Sequence, residues 1–418
     1  MLRIVWAWLF CHLAAPAAMA IDYHAGPDDY RAYLQRLQPG DRLLLQPGDY
    51  HHGLPLHRLS GEAGQPIVIA AANSAAPPRF IARPRANTLS LVDVRHISVR
   101  DLELDGQNLP VDAVKAEGHS RFADFITLER LHIHDHAASQ QNVGISTKCP
   151  AYGWEIRDNR IERVGTGMYL GDSDGSDAFI GGRIEGNRIT HTLGYSLQIK
   201  HQKSRPAEFS GRHDTLIRYN IFSKQGSLPG PQARPNVLLG HFPLSGAGSE
   251  DRYLIQGNLF AHNSSEALLQ AEGRIALYDN LFVNGNGDAI HIQPHNDVPR
   301  DMAIFSNTVL SSGTGIQVRS TGGTAYRQRV VGNLVVAAQP LQGGATSHNQ
   351  TLAYRAACLD VHPAELNRCL LAGSRPPPRL PSELARELAA YPEWNPATAS
   401  YGARIPAGLL LTLDKAGP

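Results

Sequence analysis

LIQGNLF at 254–260 and ALYDNLF at 276–282 share one frame: apolar and polar residues alternate, and an Asn interrupts the alternation. The same frame recurs along the chain in SVRDLEL (98–104), TLERLHI (127–133), EIRDNRI (155–161), RIEGNRI (183–189), LIRYNIF (216–222), AIFSNTV (303–309) and RVVGNLV (329–335). Aligning the interrupting polar residue selects Asp101, Arg130, Asn159, Asn187, Asn220, Asn258, Asn280, Asn307 and Asn333. Their successive separations are 29, 29, 28, 33, 38, 22, 27 and 26 residues. Period-2 alternation on both sides reads as short strands. Asn tolerates left-handed backbone, so it can turn a strand without glycine. Its amide can also bond to the coil above or below. A fixed-phase repeat whose units cannot bury an apolar face alone predicts a solenoid. A propeller needs blades of roughly 40–50 residues, longer than most of these intervals.

A second repeated strand follows each corner: VGISTKC (143–149), GMYLGD (167–172), YSLQIKH (195–201), NVLLGH (236–241), ALLQAE (267–272), DAIHIQPH (288–295) and GTGIQVRS (313–320). Each coil therefore holds at least two strands with variable loops between them. The pattern resembles the right-handed parallel β-helix of the pectin-lyase-like superfamily. Residues 38–50, QPGDRLLLQPGDY, are similar to the PGD-containing opening that many members carry before their first coil. The resemblance spans roughly residues 27 to 340. It implies an all-β, single-stranded right-handed parallel β-helix of about nine or ten coils, with residues 21–340 as the solenoid. Asp28 to Leu37 reads as a short N-terminal capping helix over the open end. Residues 341–418 lose the repeat and read as an irregular or helical tail packed on the solenoid. A helix is expected from Ser382 to Ala390, N-capped by Ser382.

Composition limits what such a chain does. Of 418 residues, 39 are Lys or Arg and 38 are Asp or Glu. Residues 1–20 read as a signal peptide: Arg3, an apolar stretch, then Ala18-Met19-Ala20. Without Arg3 the charges balance, which argues against nucleic acid as a partner. No other apolar run reaches the ~18 residues of a membrane span. The expectation is an exported protein, periplasmic or secreted. Cys358 and Cys369 can close a short disulfide loop there, while Cys149 reads as a half-buried free thiol. Nothing in the sequence speaks to oligomeric state.

In a parallel stack, equivalent side chains on successive coils stand about 4.8 Å apart. On the second strand, Ile145, Leu170, Ile199, Leu239, Leu269, Ile292 and Val318 read as inward. The next positions, Ser146 or Lys148, Gly171, Lys200, Gly240, Gln270, Gln293 and Arg319, read as an outward column. Asp172, His201, Gln202, His241, Glu272, His291 and His295 lie beside it. Only six residues are Lys against 33 Arg. Where Arg is the default cation, a Lys offers a tunable pKa. Lys200, His241 and His295 are accordingly the candidate catalytic groups, with His201, Gln270, Glu272, His291, Gln293 and Arg319 as substrate ligands. Lys200 would abstract the C5 proton of a uronate or neutralise its carboxylate, with His241 as partner acid or base. The competing reading is a polar solvated strand face. Asp172, Asp174 and Asp177 form an Asp-rich loop suited to Ca²⁺, and equally a solvated Gly/Asp turn. Gln293-Pro294-His295-Asn296-Asp297 is similar to the Asp-Pro-His-Asp type motif of mannuronan C5-epimerases on this fold, but Gln293 stands where those enzymes have Asp. The sequence thus points to a polysaccharide-active enzyme, a lyase or epimerase on an acidic glycan. A glycoside hydrolase and a non-catalytic glycan-binding protein are the alternatives.

Overall fold

The computed structural model describes residues 20–203, 205–226, 229–231, 233–319, 326–371, 378–404 and 406–414. The expected signal peptide lies, but for its last residue, outside the described residues. The described chain winds as a parallel solenoid with three strand runs per coil. The run that leads into the Asn corner forms a sheet of 13 strands from Asp22–Ala25 to Ala345–Ser347. That exceeds the nine or ten coils expected, because three strands precede the first repeat and a short coil ending at Asn349 follows the last. A second run trails the corner, from Asp49–Tyr50 to Gln350–Leu352. A third run, from Leu54–His57 through Leu197–Ile199 to Ile290–Ile292, carries the outward column. The last two runs merge where Thr308–Val318 and Leu334–Gln342 continue through both.

The corner differs in one respect from the sequence expectation. The left-handed residue is the one before each Asn: Asp158 (φ 55°), Gly186 (65°), Tyr219 (59°), Gly257 (61°), Asp279 (53°), Ser306 (52°) and Gly332 (67°). Asp101 (60°) and Arg130 (50°) occupy this position, so the Asn equivalents in their coils are Leu102 and Leu131. Asn does its work through its side chain. Asn258 Nδ2 donates to Asn280 Oδ1 at 2.9 Å and to the Ile217 carbonyl at 2.9 Å. The backbone N–H of Asn258 donates to the same Asn280 Oδ1 at 3.0 Å. The pattern repeats from Asn159 to Asn333 and ends on Asn349, an eighth member only 16 residues further on. Asn187, Asn220, Asn258, Asn280, Asn307 and Asn333 are wholly buried. Each left-handed non-Gly residue costs roughly 1–2 kcal/mol. The ladder offsets this by satisfying every buried donor at the turn.

Inside, aliphatic columns and an aromatic stack, Phe222–Phe260–Phe282 with centroids 5.2 and 4.5 Å apart, fill the core. The N-terminal cap is shorter than expected. A strand, Asp22–Ala25, precedes a single helical turn, Arg31–Leu34, which buries Tyr30, Leu34 and Leu37 over the first coil. The tail lies along the solenoid flank. Cys358 and Cys369 are disulfide-bonded, and Cys358, Leu366 and Leu370 pack on Leu281, Leu310 and Leu334. The helix Ser382–Leu388 packs Leu384 and Leu388 near Phe305 and Trp394. Pro381, not Ser382, is its N-cap, and it makes no side-chain capping bond. Cys149 is buried without a disulfide, and burial pushes its thiol up to about 12, as befits packing rather than nucleophilic chemistry. Among the described residues no helix is long and apolar enough to cross a membrane.

Candidate functional site

Strand register decides which outward residues meet. Ser146, Tyr169, Gln198, Leu238, Gln270, His291 and Gln317 are paired in one column of the third run. One position past the strand's last inward residue stand Lys148, Gly171, Lys200, Gly240, Glu272, Gln293 and Arg319. Backbone bonds fix this second column, among them Lys200 N–H to Leu170 O (2.8 Å), Gly240 N–H to Ile199 O (2.9 Å) and Glu272 N–H to Leu239 O (3.2 Å). Glu272 thus takes the place that sequence reading assigned to Gln270, which belongs one column over. Ala267-Leu268-Leu269 offers two consecutive buried leucines, and alternation alone could not choose between the registers. Ile145 and Leu269 likewise sit in the neighbouring inward column.

Lys200 is half-buried on the floor of a cleft of about 320 Å³. Ser173, Tyr195, Gln198, His201, Gln270, Glu272, Gln293, His295 and Asn296 complete its polar lining. Gly171 and Gly240 flank Lys200 on adjacent coils. A Cβ at Gly240 would fall 2.3 Å from the His201 nitrogen, so this close approach of coils needs glycine. Gln293 Nε2 reaches Gln270 Oε1 at 3.4 Å. Glu272 is almost fully buried; its carboxylate accepts from the Asn296 backbone N–H and, at 3.0 Å, from Asn296 Nδ2. His201 Nε2 lies 3.0 Å from the Asp174 carbonyl.

Three candidates do not meet Lys200 in the cleft. His241 lines a smaller crevice with Phe242, Glu272 and Arg300, and its Nε2 lies 3.7 Å from Asp297 Oδ2. Desolvation lowers the His241 pKa, against the pull of Glu272 and Asp297. His291 Nε2 lies 2.8 Å from Asp288 Oδ2. Arg319 donates to Gln317 Oε1 at 3.2 Å. The Asp-rich loop is turned on itself: Asp172 accepts from the Asp177 N–H (3.0 Å) and the Ser176 hydroxyl (3.0 Å), and Asp174 accepts from the Ser176 N–H (2.9 Å). Its three carboxylates do not converge as a ligand set among the described residues.

The structure adds groups that sequence reading left unassigned. Lys148 Nζ sits 3.5 Å from the Tyr169 ring centroid, and Lys200 Nζ lies 5.8 Å from the same ring. Burial, with Lys115 adding like-charge repulsion, holds the Lys148 pKa down to about 8. Tyr195, at the cleft wall, has its phenol pKa raised by burial. Its outward place in YSLQIK was readable; its role was not, because neighbours across coils decide it. In the two loops that follow Lys200 and Ile221–Ser223, 202–214 and 224–235, residues 204, 227, 228 and 232 lie outside the described set. Within the first, buried Arg205 pairs with buried Asp251, and Phe209 stacks on Tyr152 at 4.0 Å. Within the second, Lys224 is buried and donates to the Arg234 carbonyl at 2.6 Å.

Three parallel runs, a buried Asn ladder and a polar cleft on one run define the class: the chain folds as a right-handed parallel β-helix. A family model described as "Right handed beta helix region" matches residues 143–333. Among solved structures, the chain is similar to a PL6 family polysaccharide lyase from Pseudopedobacter saltans, at 11% identity, with 82% of this chain and 94% of that one covered and a TM-score of 0.50. It is also similar to a mannuronic acid specific polysaccharide family 6 lyase from human gut microbiota (15% identity, 94% and 99% covered, TM-score 0.46). A GH87 α-1,3-glucanase from Streptomyces thermodiastaticus aligns at 14% identity over 81% and 70% of the two chains, TM-score 0.47. No curated protein matches the sequence.

Proposed function

We propose that the protein is an exported polysaccharide-active enzyme that acts on an acidic, uronate-containing glycan by β-elimination or C5 epimerisation, with Lys200 at the centre. One observation carries the reading: Lys200 shares its cleft with Tyr195, His201 and His295, while the one carboxylate in the described lining, Glu272, is occupied by Asn296. Both reactions begin by removing the proton next to the uronate carboxylate. They require a cation at that carboxylate and proton-transfer groups on the ring. Lys200 serves the carboxylate, and Tyr195 and His295 stand on the same cleft for proton transfer. The protein from Pseudopedobacter saltans named above, a polysaccharide lyase, has the same fold. A glycoside hydrolase is less well supported, because it uses two carboxylates roughly 5–10 Å apart, and Asp297 is engaged by Arg300 and faces His241 outside the cleft.

A second reading rests on the glutamines. Gln198, Gln270 and Gln317 share one outward column and Gln293 stands beside it, an amide row suited to binding a sugar chain without chemistry. The test is incubation with alginate, pectate and glycosaminoglycans. Absorbance of the unsaturated uronate reports elimination, and proton NMR of the polymer reports epimerisation. Turnover lost in Lys200→Ala supports the enzyme. Glycan binding with neither product, in wild type, favours the binding protein.

A further inference from the structure

The second strand run carries, away from the cleft, His132-Ile133-His134. Alternation along a strand turns Ile133 into the core and both imidazoles outward on one face. Parallel register sets Glu103 of the preceding coil beside His132, and Glu162 of the following coil beside His134. The two rings lie 4.5 Å apart, and His134 Nε2 is 3.0 Å from Glu103 Oε1. Ligand atoms of Glu103, His132 and His134 all lie within 4.8 Å of one another. His134 Nδ1, on the other side of the ring, is 2.7 Å from Asp135 Oδ2. A carboxylate at the far nitrogen is the arrangement that orients a metal-binding imidazole and raises its basicity.

From this geometry we propose that Glu103, His132 and His134 bind one divalent transition-metal ion of the zinc class. Two imidazoles and one carboxylate form a three-ligand set that favours Zn²⁺, Co²⁺ or Ni²⁺ over Ca²⁺ or Mg²⁺, which take oxygen ligands. Tetrahedral bonds of about 2.0–2.1 Å place ligand atoms roughly 3.3 Å apart, so the observed spread closes with small side-chain rotations. Arg79 pairs with Asp105 and also lies 3.3 Å from Glu103 Oε1, so an ion at this site takes Glu103 through Oε2 or displaces that contact. His132 Nε2 lies 3.0 Å from Glu162 Oε1 and must leave it to reach the ion; Arg160 and Arg163, each at 3.0 Å, keep the Glu162 carboxylate paired when it does. The ion would tie one coil to the next at a face unrelated to Lys200, so its presence does not depend on the proposed reaction.

The test uses the full exported chain, stripped with chelator and titrated with ZnCl₂ by calorimetry, with Co²⁺ absorption as the reporter of nitrogen ligation. One site per chain is expected. His132→Ala and His134→Ala should each weaken it by roughly 100-fold or more, and Asp135→Asn by about 10-fold. His241→Ala/His295→Ala should bind as wild type. Circular dichroism of the metal-free variants checks folding; should His134→Ala not fold, His132→Ala and Glu103→Gln decide. Absence of a stoichiometric site in wild type, or unchanged affinity in the folded His132 and Glu103 variants, overturns the proposal.

Discussion

Asn258→Ala probes the ladder at its middle. Asn258 Oδ1 accepts two donors from the preceding coil, the Asn220 backbone N–H at 2.9 Å and Asn220 Nδ2 at 3.0 Å. Truncation strands both in a wholly buried corner. A buried donor left unpaired costs about 1–3 kcal/mol, so the two together predict a loss of about 2–6 kcal/mol. The lost Nδ2 bonds to Ile217, Gln256 and Asn280 push toward the upper end. Asn349, the last member, is half-buried, and water can replace it for the Asn333 donors. Asn349→Ala should therefore cost about 1 kcal/mol. Urea unfolding followed by far-ultraviolet circular dichroism at pH 7 measures both. A cost below ~1 kcal/mol for Asn258→Ala, or equal costs at the two sites, would refute the view that the corner is held by side-chain hydrogen bonds rather than by core packing.

Other outcomes follow from the same structure. Lys200→Ala should abolish turnover on the responsive glycan and leave the unfolding midpoint nearly unchanged, since an outward half-buried side chain adds little packing; a large drop in midpoint would make Lys200 structural. Lys148 is held at about 8 in the fold, below the ordinary lysine value, so its charge opposes folding most at pH below 8. Lys148→Met should therefore raise stability at pH 6–7, with the advantage shrinking as pH climbs from 8 toward 10.5; an advantage independent of pH would sink this assignment. Cys369→Ser opens a loop with a sequence separation of 11, worth about 2–3 kcal/mol. Amide exchange across Leu366–Leu370 should quicken while cleft activity persists, and unchanged exchange would show the tail held by packing alone.

The solenoid was legible because one polar residue must recur at each turn while the loops vary. The phase was legible only to within one residue. Asp101 and Arg130 look like Asn equivalents because they are polar, but the turn puts its left-handed residue one place earlier and leaves Leu102 and Leu131 at the ladder position. Asn349 escaped notice because its coil is short. The outward column was readable wherever apolar residues alternate singly, as at Gln198 and Lys200. It slipped by one column at Gln270 and Glu272, where two buried leucines adjoin. His241 was separated from Lys200 by a feature no strand pattern encodes: the chain after Gly240 turns and carries the imidazole to Asp297. The His132–His134 pair went unread because its partner, Glu103, lies a full coil away.

The ladder also frees the loops. Its rungs join residues separated by 28, 33, 38, 22, 27, 26 and 16 positions, yet every Nδ2–Oδ1 contact measures 2.9–3.0 Å. Chain length between rungs is thus uncoupled from the geometry at the rung, and lengthening a loop costs only slowly growing closure entropy. Segments beside the cleft can be exchanged like fittings on a common rail, so the shape of the groove can diversify while the solenoid that carries Lys200 stays the same.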